Sequence, residues 1–132
     1  MNPQSKKFIA NKQPLRLLIV DDNPQVRRDL HLLLGLSDGL EIVGEAANGL
    51  EALQRVERLH PDVVLLDMEM PVLDGYEAAH RIKSLRPAPR VVALSVHSYR
   101  SAREKAAQAG VDEFIEKGAP LGEILAKIGA SA

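Results

Sequence analysis

The sequence predicts a doubly wound α/β domain in which five parallel strands alternate with five helices, (βα)5. Three short, nearly unbroken apolar runs, Leu17 to Val20, Val63 to Leu66 and Val91 to Leu94, are each too short for a helix. Strands covered on both faces lose the apolar/polar alternation of a half-exposed sheet, so such runs read as buried parallel strands. Between them the apolar residues recur at the period of a helix, and capping residues fall where one pattern gives way to the other.

The first strand, Leu17 to Val20, ends in Asp21-Asp22, and Asn23-Pro24 marks the start of the first helix. Asparagine caps the free N–H groups of a first turn, and proline suits the first helical position. Val26, Leu30, Leu33 and Leu34 then fall at i, i+4, i+7 and i+8 as its apolar stripe. A second, weaker strand fits Leu40 to Gly44, and Asn48 is placed to cap a helix carrying Leu50, Leu53 and Val56. The third strand, Val63 to Leu66, ends in Asp67, and Asp74 caps a helix carrying Ala78, Ile82 and Leu85. Ser95 closes the fourth strand, and Ala102, Ala106 and Ala109 form the next stripe, closed by Gly110. The fifth strand is expected at Val111 to Ile115 with Lys117 just beyond it. Leu121, Ile124, Leu125 and Ile128 define the last helix.

Such alternation requires right-handed crossovers, and the strand order expected is the flavodoxin-like 2-1-3-4-5 with helices on both faces. Ligands of these sheets sit beyond the carboxyl ends of the strands at the switch point, here between strands one and three. Asp21, Asp22 and Asp67 all fall there. A lone aspartate at a strand end reads as a turn or cap residue. Three converging from two neighbouring strands repel one another unless protons or a cation offset the charge. A hard divalent cation, Mg²⁺ or in its place Mn²⁺, suits a few carboxylates plus a phosphoryl oxygen. Ser95 and Lys117, at the ends of the next two strands, point to the same pocket. There a hydroxyl can donate to a phosphoryl oxygen and an ammonium can compensate added negative charge.

Composition narrows the function classes. The 132 residues suffice for one domain, and 45% hydrophobic with 27% charged residues is ordinary for a globular chain. Seventeen Lys and Arg against eighteen Asp and Glu leave a net charge of -1, without the basic excess that draws phosphate backbones, so direct nucleic-acid binding is not expected. The lack of cysteine rules out disulfides, thiolate zinc sites and a Cys nucleophile. The start, MNPQSKKFIANKQP, has no apolar signal core, and no stretch approaches the ~18 apolar residues of a membrane span, so a cytoplasmic protein with no membrane partner is expected. Residues 1–14 read as a flexible polar arm with solvated Lys6, Lys7 and Lys12, 15–129 as the domain, and 130–132 as a tail. Neither G-x-G-x-x-G nor G-x-x-x-x-G-K-[ST] occurs, and histidines 31, 60, 80 and 97 lack metal-ligand spacing.

Taken together, IVDDNP, VVLLDMEMPVLDGYEA, VVALSVHS and GVDEFIEKG resemble the receiver domain of bacterial two-component response regulators, over roughly residues 15 to 129. The resemblance implies that Asp67 is the phosphoacceptor and that Asp21 and Asp22 hold Mg²⁺, with the backbone carbonyl of Glu69 adding a ligand. It implies that Ser95 is the hydroxyl that swings toward the phosphoryl group, that Phe114 occupies the aromatic switch position, and that Lys117 clamps the phosphoryl oxygens. Glu69 and His97, two residues after Asp67 and Ser95, are expected to flank the phosphoryl group and tune its lifetime. The partners implied are a sensor histidine kinase or histidine phosphotransfer protein as donor and a downstream protein or output domain as target, with phosphorylation-linked homodimerisation a further expectation. The chain would assist only its own phosphorylation and dephosphorylation, and would not be a turnover enzyme.

Two departures from the family pattern bear on these expectations. Gly118 follows Lys117 where many receivers have proline, whose cis peptide helps aim the lysine; a non-proline cis bond costs a few kcal/mol more, about 2.5–4 in all. Lys117-Gly118-Ala119 resembles receivers joined to helix-turn-helix outputs, yet the four residues after Ile128 leave no space for a recognition helix, so either a docking switch or a piece of a longer regulator is implied. Ser95 stands where many members carry threonine and keeps the hydroxyl. Asp67-Met68-Glu69 also bears a superficial likeness to the nucleophile motif of haloacid-dehalogenase-like phosphatases. That family needs an aspartate two residues on and a nucleophile on the first strand.

Overall fold

The computed structural model describes residues 13–130; residues 1–12 of the expected arm at 1–14, with Lys6, Lys7 and Lys12, and residues 131–132 of the expected tail lie outside the described residues. The chain runs β1 (Leu15–Val20), α1 (Pro24–Leu34), β2 (Leu40–Ala46), α2 (Gly49–Leu59), β3 (Val63–Asp67), α3 (Gly75–Lys83), β4 (Arg90–Ser95), α4 (Arg100–Gln108), β5 (Glu113–Glu116) and α5 (Leu121–Ile128). All four strand pairings are parallel, in the order β2-β1-β3-β4-β5. The fold class and strand order read from the sequence are those observed.

Alternation along each strand divides the core in two. Leu18, Val20, Val64, Leu66, Val91 and Ala93 face one side and pack with Val56, Ala78, Ile82 and Ala106 from α2, α3 and α4. Leu17, Ile19, Val63, Leu65, Val92 and Leu94 face the other and pack with Leu30, Leu34, Ile124 and Ile128 from α1 and α5. Each of the valines, leucines and isoleucines among them contributes roughly 1.5–3 kcal/mol when buried, and burial on both faces is why these strands carry unbroken apolar runs.

The caps fall where expected. Asn23 Oδ1 accepts from the N–H groups of Gln25 and Val26, Asn48 caps α2 through the N–H of Glu51, and Asp74 caps α3 through the N–H of Glu77. Three expectations are corrected. Leu33 is 49% exposed and Leu50 46% exposed; Leu30 and Leu34 of the expected α1 stripe are buried, and in α2 Ala52 takes the place expected of Leu50. The second strand runs on to Ala46, with a bulge in its pairing between Leu17 and Leu18. The fifth strand begins at Glu113, not Val111, because Gly110 turns the chain at φ 95° and Asp112 is committed to the N–H of Val91 and to Lys83.

Candidate functional site

The aspartates at the ends of β1 and β3 are aimed by the turns that follow them. Asp21 Oδ1 accepts the N–H of Asn23 at 2.9 Å, and Asp67 Oδ1 accepts the N–H of Glu69 at 3.0 Å. The residue that starts α1 therefore also orients Asp21. Arg27, one turn into α1, donates from Nη1 to the Asp21 carbonyl at 2.6 Å and pairs with Glu45 at 3.2 Å, tying this strand end to the helix and to β2.

Asp21 and Asp67 are each 1% exposed, while Asp22 is exposed. One oxygen from each of the three lies within 4.8 Å of the others. Among the described residues Asp21 Oδ2 and Asp67 Oδ2 are buried without a hydrogen-bond partner, a costly arrangement for ionised groups. Lys117, from the end of β5, sets its Nζ 3.1 Å from Asp67 Oδ1 and 3.6 Å from Asp21 Oδ2. Its backbone N–H donates to the Ser95 carbonyl at 2.8 Å, which fixes lysine and serine at neighbouring strand ends.

Electrostatics follow from this crowding. Burial, helped by the charge of Asp21, pushes the Asp67 carboxyl up to about 6, although the Glu69 N–H and Lys117 work the other way. For Lys117, burial works to depress the ammonium, but the carboxylates of Asp67, Asp21 and Glu69 outweigh it and hold the group above its usual value. The donor set, two buried carboxylate oxygens that accept no hydrogen bond among the described residues plus an exposed third carboxylate beside a lysine, fits a hard divalent cation bound by oxygen.

The other expected residues are placed as follows. Ser95 is fully buried, and its hydroxyl is 2.6 Å from Glu69 Oε2. His97 is exposed, and its ring packs 5.6 Å from that of Tyr99, while its backbone N–H donates to Ser95 Oγ at 3.0 Å. Phe114 is buried with the α2–α4 side of the core, and the Arg103 guanidinium lies 4.7 Å over its ring. The Lys117–Gly118 peptide is trans, and Gly118 turns the chain after the lysine at φ 93°.

Two contributors were not read from the sequence as site residues, Arg27 and Gly75. A Cβ on Gly75 would stand 2.4 Å from Met68 Cα and 2.6 Å from the Asp67 carbonyl. The start of α3 thus lies directly on the backbone that carries Asp67. The Asp-Gly pair after the third strand was the available signal. Gly75→Ala is expected to destabilise the protein by about 2–3 kcal/mol, since backbone blocks the added methyl; chemical denaturation of the two proteins measures it.

Fold and site together define a class, parallel α/β domains with an acidic, lysine-bearing pocket at the switch point. The family model described as the response regulator receiver domain matches residues 17–129, and the chain belongs to that family. It is 40% identical over 129 residues to protein-glutamate methylesterase/protein-glutamine glutaminase 5 of Myxococcus xanthus, covering 90% of this chain and 37% of that protein. It is 38% identical over 114 residues to the response regulator GacA of Pseudomonas viridiflava, covering 86% of this chain and 53% of that one. The response regulator domain of Thermotoga maritima CheB superposes with a TM-score of 0.81 at 31% identity, covering 88% of this chain and 94% of that domain. The chain thus spans about half or less of these two full-length relatives. Among the described residues no helix is long and apolar enough to cross a membrane.

Proposed function

We propose that Asp67 accepts a phosphoryl group in a Mg²⁺-dependent reaction and that the adduct changes the surface offered to partner proteins. The observation that carries this reading is the buried Asp67 carboxylate, one oxygen held by Lys117 and the Glu69 N–H and the other without a hydrogen-bond partner among the described residues. With its carboxyl near 6, Asp67 is largely ionised at pH 7 and able to attack. A carboxylate oxygen forms the bond to phosphorus while the bond from phosphorus to the donor atom breaks, its electron pair leaving on the donor. The product is an acyl phosphate.

Asp21, Asp22 and Asp67, with the Glu69 carbonyl, would hold the cation. Bound there, it would offset their mutual repulsion and neutralise charge on the transferring oxygens. Lys117 supplies the positive charge on the other side, so the chain's share of catalysis is positioning and neutralisation. Ser95 then donates to a phosphoryl oxygen, and Phe114 and the segment between β4 and α4 repack around it. The donor fitting this chemistry is a phosphohistidine on a sensor kinase or phosphotransfer protein. The target is a downstream protein, an output domain or a second copy of the chain. We assign the domain to residues 15–129 and its compartment to the cytoplasm on the same footing.

Incubation with a small acyl phosphate and Mg²⁺, followed by intact mass, tests the proposal. One phosphoryl adduct is expected with Mg²⁺ and none with a chelator in its place; equal labelling in both contradicts it. Lifetime is a separate prediction. Glu69 and His97 are expected to shield the acyl phosphate from water, so Glu69→Ala and His97→Ala should each shorten its half-life by roughly threefold, a factor that corresponds to well under 1 kcal/mol. Unchanged decay in both variants would remove this role.

A further inference from the structure

The Glu69 side chain makes contacts that the phosphoacceptor reading does not require. Its Oε2 lies 2.6 Å from the Ser95 hydroxyl, and its Oε1 accepts the Val96 N–H at 3.0 Å. Ser95 has one hydroxyl hydrogen and two acceptors in reach, this carboxylate and the His97 carbonyl at 3.1 Å. The shorter, charge-assisted contact takes the proton. One carboxylate thus grips both the hydroxyl and the first backbone N–H of the segment joining β4 to α4.

The far end of that segment is anchored separately. Arg103 Nε donates to the Ser98 carbonyl at 2.8 Å, and Ser98 Oγ to Glu116 at 3.1 Å. Release at Glu69 would therefore free the Val96 N–H, with His97 still tied to Ser95 Oγ through its own N–H, without undoing α4. Val96, 56% exposed, is carried on the released part, and Tyr99, 59% exposed, stands at its other end.

We propose that Glu69 is a latch holding the unphosphorylated state, competing with the phosphoryl group for the Ser95 hydroxyl and holding Val96 in place until that competition is lost. The inference rests on the phosphoacceptor reading of Asp67. Glu69 is a positioning residue in this scheme: it acts through Ser95 and the Val96 backbone. The hydroxyl cannot donate to Glu69 and to a phosphoryl oxygen at once, so the carboxylate raises the cost of the phosphorylated form by the strength of a charged hydrogen bond.

The test compares wild type, Glu69→Ala and Glu69→Gln in the full chain, each also in a Ser95→Ala background, by rate of adduct formation with acetyl phosphate and Mg²⁺. Backbone amide spectra are recorded before any donor is added. Glu69→Ala should form the adduct roughly tenfold faster, the factor expected for one charged hydrogen bond. Glu69→Gln, which keeps a single acceptor oxygen, should fall between. In the Ser95→Ala background the gain should drop below about twofold, because the gripped hydroxyl is gone. The Val96 amide of unphosphorylated Glu69→Ala should move toward its position in the phosphorylated wild type.

An equal gain with and without Ser95 would show that only removal of negative charge matters, and would overturn the latch. So would an unchanged rate or an unmoved Val96 amide. A wild type that takes no phosphoryl group sinks the phosphoacceptor reading, whereas a wild type that labels normally beside an indifferent Glu69→Ala sinks the latch alone.

Discussion

Asp67→Asn is expected to stabilise the metal-free protein at pH 7, by roughly 1–3 kcal/mol, and to lose that advantage as the pH falls toward 4. The Asp67 carboxyl lies near 6 in the folded chain against 3.8 as its ordinary value, raised chiefly by burial. A carboxyl raised on folding binds its proton more tightly in the native state than in the unfolded one. Between about pH 4 and 6 the folded state therefore carries more protons, and stability falls as the pH rises through that window. Two units correspond to about 3 kcal/mol, at about 1.4 per unit. Asparagine has the same shape, keeps an acceptor for the Glu69 N–H and carries no charge. Denaturant unfolding with chelator at pH 7 and pH 4 measures the difference. An Asp67→Asn protein less stable than wild type at pH 7 would mean that the pocket does not disfavour the ionised carboxylate. Saturating Mg²⁺ should narrow the gap, because the wild type has the fuller ligand set.

Lys117→Ala is expected to slow adduct formation by about 100-fold or more, equivalent to roughly 2.7 kcal/mol of lost stabilisation. Its ammonium touches Asp67 at 3.1 Å and approaches Asp21 at 3.6 Å, so on the proposed reaction it would face the oxygens on which phosphoryl charge builds up. Truncation removes that charge and leaves two buried carboxylates repelling one another, so the Asp67 carboxyl should also titrate higher. Single-turnover labelling measures the rate, and carbon-detected titration of Asp67 in the metal-free protein measures the shift. Unchanged labelling in a folded variant would remove Lys117 from the chemistry. Lys117→Arg should recover only part of the rate, since the larger planar guanidinium does not reproduce a compact ammonium between two carboxylates.

The strands, their order and the acidic pocket were legible because each rests on a local signal. Two-sided burial leaves unbroken apolar runs, and a strand that enters a turn at a functional edge ends in a polar residue, as at Asp21, Asp67 and Ser95. Leu33 and Leu50 were misplaced because helical spacing fits more than one face, and only packing decides which face is covered. The start of β5 was missed because Asp112 is held by contacts from Lys83 and Val91, far away in the chain. Gly75 and Arg27 act through backbone, the first by letting α3 lie on Met68 and the second by holding the Asp21 carbonyl. A motif marks such residues without saying what they touch. The Glu69 to Ser95 contact joins residues 26 apart in sequence, and only the β3 to β4 register brings them together.

The most direct test of the central claim locates the phosphoryl group. After labelling with a small acyl phosphate and Mg²⁺, borohydride reduces an aspartyl phosphate to homoserine, and peptide mapping reads the position. Homoserine at residue 67 alone, and none in Asp67→Asn, is the predicted result. Homoserine at Asp21, Asp22 or elsewhere, or an adduct that survives in Asp67→Asn, would contradict the account.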